Sequence, residues 1–440
     1  MVCDVPPARG RIAAGLGIAC AALLLAACSR EEILPGDRIP VRPPETSTAR
    51  AATKAVPIRL PKPVPNAMWS HKNGTARHRI ENPALSSSPR IVWVADIGSG
   101  NSRRERIVAA PVVDTAAVYT MDSQAGVTAV SLGGKVLWRV SLVPEGERAD
   151  EGIGGGLALD GSRLFAATGF GEVFGLSPKT GEVLWRRELE APVRSAPAAA
   201  GGRVYVVSRD DVAYGLDADS GDLLWRVPGA VGGTGFLGGA SPAIRGPLVV
   251  VPFSSGEVVG ILGRNGLRVW SAAVSGGRRG LVRALVGDIS SDPVIDWEGV
   301  YAANQGGRMV SLDRRSGDRN WTISEGAVGP VWPVAGSVFL VSDRAEVMRL
   351  DAATGERIWS RGLTEYKTRR RRAAIAYYGP VLAGGRLYVA GADGLLRVFD
   401  PGSGATGPVT EIPGGAAAAP AVANGMMFIV SGNGKLYALK

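Results

Sequence analysis

Tryptophan recurs through this chain at a near-constant interval, at Trp93, Trp138, Trp185, Trp225, Trp270, Trp321 and Trp359, with spacings of 45, 47, 40, 45, 51 and 38 residues. Four residues before each of the last six stands a glycine: Gly134, Gly181, Gly221, Gly266, Gly317 and Gly355. A repeat of this length marks a supersecondary unit that cannot bury its apolar face alone and must stack on its neighbours. The unit "SAPAAAGGRVYVVSRDDVAYGLDADSGDLLWRV" reads as four short strands, near Pro197 and in "RVYVVS", "AYGLDA" and "LLWRV". Turns at Gly201-Gly202, Asp210-Asp211 and Asp217 to Gly221 separate them. Asp217 can accept hydrogen bonds from backbone further along its turn, and Gly221 takes a positive φ without steric cost. The tryptophan then falls on the outer strand, its ring in the seam between sheets.

First-strand starts can be placed near Pro111, Leu157, Pro197, Pro242, Pro293, Pro333, Pro380 and Pro420, so the expectation is an all-β, eight-bladed β-propeller. A two-layer sandwich would not need so regular a repeat. Two irregularities bear on closure. The unit "FDPGSGATGP" keeps Gly404 but has Pro408 where the tryptophan belongs, as though one blade had lost its dock. "GNGKLYALK" at 432–440 supplies inner strands of an eighth unit without an outer one, while "PRIVWVADIG" supplies the Trp93 strand with no inner strands before it. Pairing the two would close the ring non-covalently.

Composition agrees with many short strands: 61 Gly, 29 Pro and 10 Trp among 440 residues, and no long amphipathic helical pattern. The net charge of +10 would suit nucleic acid, an anionic membrane or an acidic protein, but most basic residues are scattered. The dense run is Arg369 to Arg372 in "YKTRRRRAA", which fits a solvated inter-strand loop or a contact for an acidic partner or lipid head groups.

The three cysteines, Cys3, Cys20 and Cys28, all precede residue 29, so nothing beyond them can form a disulfide or a thiolate metal site. Arg9 and Arg11 followed by an apolar run from Ile12 to Leu25 read as a secretory signal peptide over 1–27, too short for a comfortable membrane span. Leu25-Ala26-Ala27-Cys28 resembles the bacterial lipobox, in which the cysteine is lipidated and becomes the mature N-terminus. Ser29 after it implies export to the outer membrane and a mature protein facing the periplasm. Residues 28–65 are rich in proline and charge and read as a disordered tether that, extended at ~3.1 Å per residue, reaches on the order of 100 Å. A lead-in segment over 66–89 then joins the propeller over 90–440.

Chemistry is hard to find in this sequence. The only histidines, His71 and His78, precede the propeller, so no His-based triad or His metal site can be built inside it. Carboxylates such as Asp217, Asp313 and Asp351 sit at turn positions that already explain them. "GGTGFLGG" at 232–239 lacks the Gly-Lys-Ser/Thr ending of a phosphate loop. Its Phe236 and Leu237 suit either a partner contact or a loop tucked into the propeller face. The expectation is a non-enzyme with no cofactor and no metal.

"LDAATGERIW" and "LDADSGDLLW" resemble the PQQ-type propeller repeat, Ala-x-Asp-x-x-Thr-Gly-x-x-x-Trp, over roughly residues 90–440. That family holds both quinoprotein dehydrogenases and non-enzymatic scaffolds. A dehydrogenase of this kind would show adjacent cysteines and a calcium site with a nearby Asp, and no cysteine follows Cys28. With the lipobox and the tether, the chain resembles the BamB family of lipoproteins of the outer-membrane β-barrel assembly machine. The resemblance implies a monomeric scaffold that binds BamA POTRA domains and assists assembly of unfolded outer-membrane proteins. It also implies a partner site on two neighbouring loops: "TGFLGGASP", giving Thr234, Phe236 and Leu237, and "RALVGDISSDP", giving Asp288 and Ser290. The arginine expected in the first loop falls on Leu237 and the second acidic residue on Ser290; Arg283 is the expected compensating charge. A PQQ-dependent periplasmic dehydrogenase and a polymer-binding propeller are the other classes left open.

Overall fold

The computed structural model describes residues 56–440, apart from 231, 233, 234, 236, 237, 275, 279–285, 298 and 369–372. Its described residues contain eight four-stranded antiparallel sheets and no helix. Seven sheets are continuous in sequence, spanning 112–141, 155–188, 198–228, 243–273, 289–323, 332–362 and 377–411, and are numbered here as blades 1 to 7. Blade 8 takes its three inner strands from Ala421–Ala423, Met426–Val430 and Lys435–Leu439 and its outer strand from Ile91–Asp96. Trp93 pairs with Ala438 and Asp96 with Lys435, so the ring is closed as the repeat implies.

The unit chosen from sequence folds as Ala198–Ala200, Arg203–Val207, Val212–Asp217 and Leu223–Pro228. Asp217 Oδ1 accepts from the N–H groups of Asp219 (2.8 Å) and Ser220 (3.0 Å), and Asp313 and Asp351 do the same in their own turns. These bonds hold the Asp217 and Asp313 carboxyls below their ordinary pKa, which marks them as turn builders. The core lies between blades: most apolar clusters join facing sides of two neighbouring sheets, such as Phe165 and Trp185 of blade 2 with Val204 and Leu216 of blade 3.

Each outer-strand tryptophan locks its blade to the next. Trp185 Nε1 donates to Ala218 O in blade 3 at 3.0 Å, and its ring lies on Gly221 (φ 74°), where a methyl would stand 2.5 Å from Trp185 Cε3. The same bond runs from Trp93 to Leu132 O, Trp138 to Pro178 O, Trp225 to Gly263 O, Trp270 to Arg314 O, Trp321 to Ala352 O and Trp359 to Pro401 O. In every case the acceptor is the turn between the third and fourth strands of the following blade. This explains Pro408: blade 8 has no such turn, because its third strand is Lys435–Leu439 and its fourth is Ile91–Asp96. Blade 7 has not lost a dock; there is nothing in blade 8 to dock on. Trp185→Ala is therefore expected to lower stability by ~3–5 kcal/mol, whereas Pro408→Trp should change it by less than ~0.5 kcal/mol. Urea unfolding of the two variants checks the contrast.

Antiparallel alternation gives the ring two faces. One carries the inter-blade connectors and the turns between second and third strands; the other carries the first-to-second and third-to-fourth turns. Of the candidate residues, Asp288 and Ser290 lie at the first-strand start of blade 5, on the first face.

Candidate functional site

The lead-in is a plug. Residues 66–85 cross the axis on the second face and bond to every blade in turn. Trp69 N and O pair with Val113 O and N of blade 1, Ser70 O accepts from Leu159 N of blade 2, and His71 Nε2 from Ala199 N of blade 3. Ala76 O and Arg77 O accept from Ile244 N and Ile295 N of blades 4 and 5. Glu81 O accepts from Trp332 Nε1 of blade 6, Pro83 O from Gly384 N of blade 7 and Asn66 O from Asn424 N of blade 8. Trp69 is buried and stacks on Trp332 with centroids 6.3 Å apart. The tail of the Pro-rich stretch is packed as well: Arg349 Nη1 donates to Val56 O at 2.7 Å and Asn82 Nδ2 to Pro61 O at 2.8 Å.

Both histidines are consumed by this plug. Because Ala199 N–H donates to His71 Nε2, the ring is the neutral tautomer with its proton on Nδ1, beside Ser70 Oγ. Burial, then the neighbouring His78, pushes His71 down to about 3. His78 is also lowered, chiefly by burial, with Asp292 opposing the shift. A depressed histidine pKa stabilises the fold fully above the unfolded value near 6.5 and loses that stability as pH falls towards the folded value. His71 alone should remove about 1.4 kcal/mol per pH unit below 6.5, or about 2 kcal/mol by pH 5. Melting curves at pH 7 and pH 5 should show this slope in the parent and a shallower one in His71→Gln; equal slopes would contradict it.

Below the plug the axis opens toward the connector face. Lys72 reaches inward and its Nζ lies 2.7 Å from Oδ2 of Asp292, whose other oxygen accepts from Ser241 N at 2.7 Å. Burial alone would raise Asp292; the charge and hydrogen bond of Lys72 and the bond from Ser241 N outweigh it and hold the carboxyl low. Toward the connector face lies a cavity of about 230 Å³ walled by Ile107, Val108, Pro330, Tyr378 and Ala417 to Ala419, with Ser290 at its edge.

The connector face is organised by two buried carboxylates. Asp288 lies 2.7 Å from Arg194 Nη1, with both side chains almost wholly buried, and Arg194 Nη2 donates to Pro252 O at 3.0 Å. One arginine thus spans from blade 3 across blade 4 to the start of blade 5. Asp211, at a positive φ of 60°, accepts from Ser254 N at 2.7 Å, from Ser254 Oγ and from Gly232 N at 3.2 Å. The glycine-rich loop rests on this network. A methyl at Gly235 would stand 3.4 Å from Asp288 Oδ2, and one at Gly239 would stand 3.0 Å from Arg194 Cδ. The two loops singled out from sequence therefore meet at Asp288.

Of the sequence candidates, Asp288 and Ser290 are described, and Cys28, Thr234, Phe236, Leu237, Arg283 and the Arg369 to Arg372 run lie outside the described residues. Among the described residues, Arg194 pairs with Asp288, and it stands directly before the literal Ser195-Ala196-Pro197. Ser290 Oγ donates to Ala327 O at 2.9 Å, tying blade 5 to the next connector. The plug was the larger omission; its signal is a twelve-residue stretch, 71–82, holding both histidines and many side chains that need partners.

The quinone and calcium ion of the dehydrogenases do not fit these residues. A calcium site needs carboxylates free to take the cation, yet Asp288 is matched by Arg194, Asp292 by Lys72 and Asp343 by Arg278. No group of three metal-ligating side chains occurs among the described residues. The axial cavity, about 230 Å³, is smaller than the ~300–1,000 Å³ usual for cofactor pockets.

Eight blades with seven Trp-docked seams, a plugged axis and ion pairs at Asp288, Asp292 and Asp343 define a PQQ-type repeat propeller whose described residues lack the dehydrogenase donor set. Within that class the chain belongs to the outer membrane protein assembly factor BamB family, whose model matches residues 123–361 and 367–440. It is 26% identical over 357 residues to the outer membrane protein assembly factor BamB of Salmonella typhimurium, covering 80% of this chain and 89% of that one. Among solved structures it resembles BamB from Moraxella catarrhalis at a TM-score of 0.66 and 20% identity, covering 80% of this chain and all of that one (100%). It also resembles the quinohemoprotein alcohol dehydrogenase of Comamonas testosteroni, at 0.65 and 15% identity, covering 85% and 80%. At such identities the two structural likenesses show the fold.

Proposed function

We propose that this chain is a non-catalytic scaffold of the β-barrel assembly machine. Lipidated at Cys28 and facing the periplasm, it docks the POTRA domains of BamA and assists assembly and insertion of β-barrel proteins into the outer membrane. The observation that carries this reading is the extent of the family match, which runs from the third strand of blade 1 through blade 8. The proposed site is the connector face, where Gly235 and Gly239 lie against the Arg194–Asp288 pair beside Ser290, with Thr234, Phe236 and Leu237 as the proposed contacts. A glycine-rich loop carrying apolar residues in its sequence and held on a buried ion pair suits protein recognition, because apolar side chains fill a partner's pockets and a rigid support fixes the loop's geometry. Immobilised BamA POTRA domains should retain the protein from solution, and it should show no dye-linked alcohol oxidation with PQQ and calcium. Failure to be retained, or turnover with the quinone, would sink the reading.

A further inference from the structure

The plugged face carries a cluster that neither closure nor the connector face uses. Trp297, at the first turn of blade 5, is 61% exposed. Arg245 lies over its ring at 4.8 Å from the centroid and Arg77 at 5.8 Å. Arg314 Nε donates to Trp297 O at 3.4 Å, and Arg245 Nη1 to the same carbonyl at 2.9 Å. The nearby described carboxylates, Asp296 and Glu81, both pair with Arg79. Arg77, Arg245 and Arg314 therefore have no carboxylate partner among the described residues. Burial and then the charges of Arg314 and Arg77 lower the Arg245 pKa, the sign of a local excess of positive charge. The tail of the tether is on this same face: Val56 O is held by Arg349 of blade 6, and Ile58 packs beside Gly402 of blade 7. The same stretch of chain exposes Arg59, Lys62, Val64 and Met68.

We infer that the plugged face rests on a surface of anionic phospholipid head groups. An exposed indole flanked by unpaired guanidinium groups matches the membrane–water interface, where the ring sits at head-group depth and arginines meet phosphates. The occupant follows from the chain itself, because Val56 and Ile58, among the described residues nearest in sequence to Cys28, are held on this face. The inference rests on the lipid-anchor reading for its orientation, and it leaves the connector face turned toward the periplasm. One acyl-bearing residue and a basic–aromatic patch would be two signals acting together.

The test uses residues 29–440, which contain every described element and no acyl site. These should co-sediment with vesicles containing phosphatidylglycerol and not with pure phosphatidylcholine, and the binding should weaken as salt rises. Trp297→Ala should reduce it, and Arg77→Gln with Arg314→Gln should reduce it by about fivefold per arginine. Arg139→Gln with Arg226→Gln, on the outer strands, should leave it unchanged. Equal binding to both vesicles, indifference to the Trp297 and Arg77/Arg314 variants, or capture by soluble polyphosphate with no vesicle binding would overturn the proposal. Flotation of the lipidated protein on pure phosphatidylcholine reports the anchor separately, so the two readings can fail independently.

Discussion

Deletion of residues 431–440 is expected to abolish cooperative unfolding of the ring. Lys435–Leu439 is paired on both sides, with Met427 to Val430 and with Ile91 to Asp96. Leu436, Ala438 and Leu439 are completely buried. Burial of each leucine contributes ~1.5–3 kcal/mol, and two ladders of backbone bonds would be lost with them. The deletion also strands Trp93, which holds blade 8 against blade 1 through Leu132 O. Together these losses approach the ~5–15 kcal/mol that stabilises a typical domain. Circular dichroism melting and size-exclusion chromatography should show a broad transition and an expanded species. A truncated protein that melted cooperatively at the parent temperature would refute non-covalent closure as the source of ring integrity.

The second large effect is at Arg194. Truncation to Ala removes the buried Arg194 guanidinium from Asp288 and its bond to Pro252 O, and should destabilise the protein by ~3–5 kcal/mol. Replacing both members with methionine should recover most of that loss, because apolar residues of similar volume remove both desolvation penalties. This separation matters for the partner site. Asp288→Arg would place two arginines in one buried position and would damage the fold whether or not the face docks anything. The Arg194→Met, Asp288→Met protein keeps the packing, so its capture by BamA POTRA domains reports on the face itself. If Arg194→Ala unfolds in urea at the parent midpoint, the pair is not the support described here.

The repeat was legible because docking uses a tryptophan and a glycine at fixed offsets, and a fixed offset survives in a linear string. Closure was legible for the same reason, since Trp93 and the 432–440 segment are complementary halves of one unit. The plug was not. Its partners are scattered single groups from eight different sheets, such as Ala199 N, Ile295 N and Trp332 Nε1, and such a set has no period. Arg194 and Asp288 are separated by 94 residues, so only the ring brings them together. Pro408 was visible but misread, because the turn that explains it is missing from a different blade.

The two ends of blade 8 have a further consequence. Arg90 and Lys440 exchange both backbone hydrogen bonds at 2.9 Å, the geometry of a hairpin that lacks only its turn. In a permuted chain whose lead-in is released from Arg90, a short turn from Lys440 to Arg90 would give blade 8 the receptor its neighbours have, and Pro408→Trp would then become stabilising. If the ring were cut instead between the third and fourth strands of another blade, the undocked seam should migrate to the blade before the cut. The irregularity would then belong to the permutation of the chain and not to any one position in the circle, so circular permutants would move it at will.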